Sequence, residues 1–391
     1  MVKIVIVGGG YGGFKLAKSL LKKSKGLGVK VILIDKREFQ VLLTALPAAI
    51  PNRNEKIVVY YEETLSKYEN FEFIKGSVLA IKPKDNKVVL SDGKEIDYDH
   101  LVLGVGAEPY DLGIQGVKDN SIMFWNHEDL EKYVSKLDNF LSEGKSPKIV
   151  IVGAGPVGIE LASETYNFLK SKNVNPDITI IEAKDRVMPS LPPKFSSVLH
   201  DYLNKIGVKV LLNSCASKVD NSSIHFKVNS KDEKFEFDIL LWCTGVKASS
   251  SVIEIEKNSG FSFEKSKNFR ILVDKYLKVK GFSNIWALGD VALPESNNSM
   301  MLAQFAVQMA DFLSKNIINL IKGKKLEELK LTFKGIIVQL SHSKASLYTN
   351  NPFEVVIPPS FLGILARKFV DYNYLLSIGG KPEPYYKLVS K

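Results

Sequence analysis

Two glycine-rich stretches carry the residues with the clearest chemical use. Lys3–Ala17 reads KIVIVGGGYGGFKLA and Lys148–Glu164 reads KIVIVGAGPVGIELASE, so the same five residues lead twice into the same glycine spacing. The first glycine of such a turn permits a tight reversal, and the second lets backbone approach a pyrophosphate. The third lets a helix pack closely on its strand. The helix that follows offers unpaired N–H groups to phosphate oxygens. These glycines are Gly8, Gly10 and Gly13 in the first stretch and Gly153, Gly155 and Gly158 in the second. An acid closes the next strand in each case: Asp35 in VKVILIDKREF and Glu182 in DITIIEAKDRV. A carboxylate there would bind ribose hydroxyls.

The elements that must position these residues recur in the same order. A third landmark, YDHLVLGVGAEP (Tyr98–Pro109), is echoed by FDILLWCTGVKA (Phe237–Ala248). Three landmarks repeated in sequence predict two homologous α/β units, each a Rossmann-type dinucleotide site. Between the landmarks of the first unit lie a proline-punctuated loop, LLTALPAAIPNRNEK, and an alternating segment with Asp92-Gly93 as a hairpin turn. VLLNSCASKVDNSSIHFKVNSKDEKFEFD plays the hairpin's part in the second unit. A late apolar strand ends at Gly289-Asp290, and a helical pattern covers roughly Ser299–Ile321. The expected divisions are 1–110 and 247–330 for the first dinucleotide domain, 111–246 for the second, and 331–391 for a separate tail.

Composition narrows the classes. With 45% hydrophobic and 25% charged residues the chain is globular. The net charge of +10 is mostly lysine spread along its length, which suits a solvated surface or attraction to an anionic membrane. No basic run interleaved with aromatics appears, so nucleic acid is not an expected partner. Cys215 and Cys243 have no partner spacing and the five histidines no ligand spacing, so neither a disulfide framework nor a metal site is expected. The cysteine usage suits a reducing cytoplasm. Strand residues follow Met1 almost at once, so no signal peptide is expected. No run of eighteen or more apolar residues exists to span a bilayer as one helix.

Two dinucleotide sites in one chain suggest a flavin and a nicotinamide, one passing a hydride to the other. Glu182 would repel the 2′-phosphate of NADPH and favour NADH; Lys184 and Arg186 are cations that could receive that phosphate instead. The order of motifs resembles the two-dinucleotide-binding-domain flavoproteins, among them glutathione reductase, sulfide:quinone oxidoreductase and type II NADH dehydrogenase. The resemblance covers about Val2–Gly323. It implies that the first glycine turn holds FAD and the second NADH. It also implies that Asp290, in NIWALGDVA, contacts the flavin ribitol, although a turn cap would use the same residue. The flavin set it implies is Gly8, Gly10, Gly12, Gly13, Asp35, Lys36, Thr44, Val78, Gly106, Asp290 and Ala303, with Leu46-Pro47 beside Thr44. The nicotinamide set is Gly153, Gly155, Pro156, Gly158, Glu160, Glu182 and Gly245.

LAQFAVQMADF (Leu302–Phe312) looks like the AQxAxQ motif of type II NADH dehydrogenases, so the resemblance is closest to that family. Gln304 and Gln308 share one helix face and are the expected quinone contacts. Met309-Ala310 depart from the family's usual continuation. An amphipathic helix with two surface glutamines would read the same way. Glu160 matches the acid of the second motif, with a catalytic part in relaying protons or orienting nicotinamide; a first-turn glutamate favouring the helix dipole would account for it equally well. The implied activity is hydride transfer from NADH to flavin N5, then two electrons to a quinone, without proton pumping. A sulfide:quinone oxidoreductase, or a slow NADH-sensing flavoprotein resembling apoptosis-inducing factor, are the alternatives. The first would need redox cysteines beside the flavin.

Leu331–Lys391 holds seven Lys/Arg against three Asp/Glu. Phe361, Leu365, Phe369, Tyr372 and Leu376 recur at helical spacing, with Arg367, Lys368 and Asp371 off that stripe. Such a helix suits a peripheral, monotopic anchor on the cytoplasmic side of the cell membrane. A homodimer face, or a cover for the flavin domain, would use the same pattern.

Overall fold

The computed structural model describes residues 1–51, 57–228, 231–295 and 299–380. The end of the proline-punctuated loop (52–56), part of the second hairpin (229–230) and the last eleven residues of the tail (381–391) lie outside them.

Two parallel sheets form the frame. The first is five-stranded, in the order Ile285–Ala287, His100–Leu103, Val2–Val7, Val29–Asp35, Phe71–Lys75. The second is four-stranded, in the order Lys209–Leu211, Asp177–Ile181, Lys148–Val152, Ile239–Trp242. Their central strands are runs of Val, Ile and Leu because helices cover both faces. Ile4, Val5 and Ile6 in one sheet, and Val150 and Ile151 in the other, are inaccessible to solvent. The chain leaves the first sheet after Leu103, builds the second, and returns at Ile285.

The repeat extends to the antiparallel inserts. Val78–Lys82, Lys87–Leu90 and Glu95–Asp97 form one three-stranded sheet; Ser214–Val219, Ser223–Val228 and Lys231–Glu236 form its counterpart. Asp92-Gly93 makes the expected turn. Gly93 has φ +86°, and the Lys94 N–H donates to Asp92 Oδ1 at 3.0 Å.

The third landmark of each copy meets the other. Ala107–Pro109 pairs antiparallel with Val246–Ala248, placing Glu108 opposite Lys247 with an ion pair at 3.4 Å. The repeated segments thereby join the two units at the edge of both dinucleotide sites.

The late helix spans Ala303–Ile321, starting four residues later than its pattern suggested. Ser299 is instead held by Arg270, whose guanidinium donates to its carbonyl at 2.6 Å and its hydroxyl at 2.9 Å. The late helix packs along Tyr11–Lys23, where a Cβ on Gly12 would lie 2.2 Å from Leu288 and 3.4 Å from the Ala306 carbonyl. The tail adds a three-stranded antiparallel sheet, Ile336–Ser341, Lys344–Thr349 and Val355–Ser360, followed by a helix over Phe361–Ile378. Its first strand lies on Pro156–Ser171 and its helix reaches the start of Tyr11–Lys23, so the tail touches both units. No helix among the described residues is long and apolar enough to cross a membrane.

Candidate active site

Each glycine turn is built by the same backbone contact. Gly8 and Gly153 take φ of +99° and +102°, a region that costs other residues steric strain. A Cβ on Gly13 would lie 1.8 Å from the Gly8 carbonyl oxygen, and one on Gly158 would lie 2.0 Å from that of Gly153. Only a bare Cα lets the helix come this close to its strand. Gly10 and Gly155 differ: a Cβ built on either meets nothing within 4 Å. Their glycine character leaves space at the helix N-terminus, the cradle that a pyrophosphate requires.

The two acids repeat the same hydrogen bonds. Asp35 accepts from the Gly9 N–H at 2.6 Å and the Arg37 N–H at 2.9 Å. Glu182 accepts from the Ala154 N–H at 2.7 Å and the Lys184 N–H at 2.9 Å. Each carboxylate is fixed to its own glycine turn, with spare lone pairs for a ribose. Burial pushes the Asp35 carboxyl above its usual range, against the lowering effect of those N–H donors.

Both cradles open on one continuous cleft of about 1850 Å³. Of the sequence-predicted residues, Gly8, Gly10, Gly12, Asp35, Lys36, Thr44, Val78, Gly106, Asp290 and Ala303 line it on one side. Gly153, Gly155, Pro156, Glu160, Glu182 and Gly245 line it on the other, and Gln304 and Gln308 lie along it. Gly13 and Gly158 do not reach the cleft, being packed beneath their turns. Leu46 and Pro47 are likewise buried beneath its wall, in short 3-10 turns, so Thr44 alone of that trio reaches the cleft. Asp290 is pushed up to about 6 by burial.

Gln304 and Gln308 line the cleft, but their amides are engaged elsewhere. Gln304 donates to the Gly335 carbonyl at 2.8 Å and accepts from the Lys334 N–H at 2.8 Å. Gln308 donates to the Thr332 carbonyl and accepts from the Thr332 N–H, both at 2.9 Å. Each side chain thus pairs with backbone as a neighbouring strand would. Each amide keeps a further N–H and lone pair, and together the two side chains clamp Thr332–Gly335 along the cleft.

Glu160 sits past the first turn of its helix, so helix-end electrostatics do not explain it. It is buried, accepts the Gln339 N–H at 2.9 Å, and faces the Arg367 guanidinium at 3.5 Å. Desolvation pushes it up to about 7 although Arg367 pulls the other way. Arg367 also donates to Asp371 Oδ2 at 2.9 Å and to the Thr44 carbonyl. One tail residue therefore joins a loop of the first unit to an acid of the second. Tyr374 packs its ring 4.8 Å from that of Tyr11 and donates to Gln40, while Tyr11 hydrogen-bonds Thr44 at 2.9 Å. Sequence reasoning left Arg367, Tyr11, Tyr374 and Arg270 unassigned. The Arg367–Asp371 spacing was its one visible signal for any of them.

The two thiols form no pair. Cys215 is exposed and Cys243 half-buried, both free, and burial pushes the Cys243 thiol up to about 12. Arg186 is turned onto the Pro189 carbonyl at 2.9 Å and does not line the cleft, whereas Lys184 does.

The chain belongs to the pyridine nucleotide-disulphide oxidoreductase family, whose model matches residues 2–310. It is 31% identical over 337 residues to ferroptosis suppressor protein 1 of Taeniopygia guttata, covering 83% of each chain. To the type II NADH:quinone oxidoreductase of Haemophilus influenzae it is 27% identical over 401 residues, covering 90% of this chain and 88% of that one. The solved structure of NDH2 from Plasmodium falciparum in complex with NADH shares the fold. Its TM-score is 0.85 at 17% identity, over 99% of this chain and 97% of that one. The expected superfamily and the pair of Rossmann-type units hold.

The open space at Gly10 and Gly155 separates the two sites experimentally. Gly10→Val, at an extended backbone (φ −68°), should fold and lose flavin; Gly155→Val (φ −74°) should keep flavin and lose reduction by NADH. Flavin absorbance of the purified variants, before and after NADH, reads both. Flavin loss in Gly155→Val with NADH binding retained would reverse the assignment.

Proposed function

We propose that the chain is a type II NADH:quinone oxidoreductase, with FAD as cofactor and NADH as co-substrate. The observation that carries this reading is that two separate dinucleotide cradles open on the same cleft. The kinship with proteins of that name supports it. When bound, the flavin accepts a hydride and returns two electrons to a quinone. The protein's own work is to bind, orient and neutralise. The Gly10 and Gly155 cradles hold the two pyrophosphates, and Asp35 and Glu182 hold the riboses. Asp290 and the N-terminus of Ala303–Ile321 face the flavin. Glu160 borders the nicotinamide side with its proton held near neutrality.

The acceptor side lies between the clamped Thr332–Gly335 segment and the tail helix. Ile336, Ile337, Phe369 and Val370 make it apolar, which suits a quinone ring. Gln304 and Gln308 serve by fixing that wall. Phe369 and Val370 belong at once to the cleft and to an exposed apolar face with Phe361, Leu362, Leu365 and Leu376. Phe361, Leu365, Phe369 and Leu376 of the expected stripe are exposed; Tyr372 is half-buried. This continuity favours a peripheral membrane attachment, on the cytoplasmic side where NADH is supplied, over a homodimer face. Phe361→Asp with Phe369→Asp should abolish flotation with anionic vesicles while the protein stays folded. A change of dimer to monomer with vesicle binding unaltered would assign the face to a second copy.

A sulfide:quinone reading would need a thiol pair, and none joins Cys215 to Cys243. Cys215→Ser with Cys243→Ala should keep NADH:quinone turnover within about threefold, given a packing cost of roughly 1 kcal/mol. Collapse of acceptor reduction in the folded variant would restore the sulfide reading.

The fixed Glu182 carboxylate should also make NADH the better donor. Its kcat/KM should exceed that of NADPH by about tenfold or more, since a carboxylate against a 2′-phosphate costs on the order of 1.4 kcal/mol or more. Steady-state kinetics with both nucleotides checks this, and parity would mean that Lys184 governs the pocket.

A further inference from the structure

A second buried acid stands one helical turn behind Glu160. Glu164 is 2% exposed and does not line the cleft. The two are four residues apart on Pro156–Ser171, so their side chains are neighbours on one face. Gln339 bridges them: its backbone N–H donates to Glu160 Oε1 at 2.9 Å and its Nε2 donates to Glu164 Oε1 at 3.1 Å. Arg367 and Asp371 face the pair from the tail helix, and Tyr202 faces Glu164 from Pro193–Ile206. The guanidinium contacts Glu160; its pull on Glu164, which accepts the Gln339 amide, is outweighed by burial. A carboxyl in that setting favours its neutral form.

Resting on the function proposed above, the need for such a group follows from counting atoms. NADH gives up a hydride, which is two electrons and one proton, whereas a quinone becomes a quinol by taking two electrons and two protons. One proton per turnover must therefore come from the protein or solvent.

We propose that Glu164 is the proton store for quinone reduction, a positioning residue that acts through Glu160. The O–H bond of protonated Glu164 breaks as an O–H bond forms on Glu160. Glu160 then gives its proton to the reduced quinone oxygen at the cleft, and one solvent proton restores Glu164. Arg367 holds Glu160 in place and takes no proton itself. Burial, helped by the neighbouring Glu160 charge and opposed by Gln339 and Arg367, pushes Glu164 up to about 7, which matches a group that gives and regains a proton at neutral pH.

The linkage has a definite sign. An acid with a pKa raised on folding leaves the folded state holding more protons than the unfolded one. Unfolding free energy therefore falls as pH rises between the ordinary glutamate range and about 7. Three readouts test the store in FAD-loaded protein: the infrared carboxylic-acid band as a function of pH, the pH dependence of denaturant unfolding, and the pH profile of quinone reduction.

Glu164→Gln should remove one carboxylic-acid band titrating near neutrality and flatten the fall in stability. It should also move the alkaline limb of quinone reduction to lower pH, with a loss of about tenfold in rate at neutrality. Gln339→Leu keeps both acids and removes the amide that lowers Glu164, so its limb should move the opposite way. Should Glu164→Gln fail to fold, the Gln339→Leu shift and the wild-type band decide alone. Unmoved profiles and an unchanged band in the folded variants would overturn the store. A titrating band lost in Glu164→Gln, in a protein that reduces no quinone, would uphold the store's chemistry and overturn the function on which its use rests.

Discussion

The structure depends on a contact that no side chain permits. In both units the third glycine of the turn lies directly over the carbonyl of the first, where a Cβ would come within 2.0 Å of oxygen. This approach points the helix N-terminus past the strand end and leaves an open cradle at the middle glycine. It also brings the next strand's acid within hydrogen-bond reach of the turn, so Asp35 and Glu182 each accept two backbone N–H groups. Site geometry thus follows from backbone packing, and the duplicated sequence makes it twice.

What makes two sites into one cleft is the joining of the copies. The antiparallel pair Ala107–Pro109 with Val246–Ala248 ties the units along one edge. The tail does so too: Gln304 and Gln308 of the late helix hold its Thr332–Gly335 backbone, and its own Arg367 spans the Thr44 carbonyl and the Glu160 carboxylate. Buried ion pairs gain little net stability because desolvation offsets attraction. The value of Arg367 is therefore positional: removing it would leave Glu160 buried without a cation and free the tail helix from the Thr44 loop. The apolar outer face of that helix meets the cleft at Phe369 and Val370, so one element faces both compartments of the proposed reaction.

Local pattern made the glycine turns, their acids, the late Gly-Asp and the hairpin at Asp92-Gly93 legible, because each is set by residues close in the chain. The neighbourhood of Ser299 is helix-compatible, but the Arg270 guanidinium, far upstream, captures it instead. Helical spacing puts Gln304 and Gln308 on one face, which lines the cleft, yet their amide partners lie 24 to 31 residues away, beyond any periodic signal. Arg367 fell off the apolar stripe and looked solvated, while its partners lie in the loop at Thr44 and the helix at Glu160. Glu164, Gln339 and Arg367 become a site only after the tail has folded back across both units.

NADH oxidation and quinone reduction share one cleft and one flavin. Anaerobic rapid mixing tests it most directly. The purified protein is first mixed with NADH while flavin absorbance is followed, then with a short-chain quinone. Bleaching by NADH, followed by recovery of the oxidised spectrum fast enough to account for steady-state turnover, is the predicted result. Bleaching that quinone leaves unreversed, or a flavin that NADH does not bleach, would contradict the account.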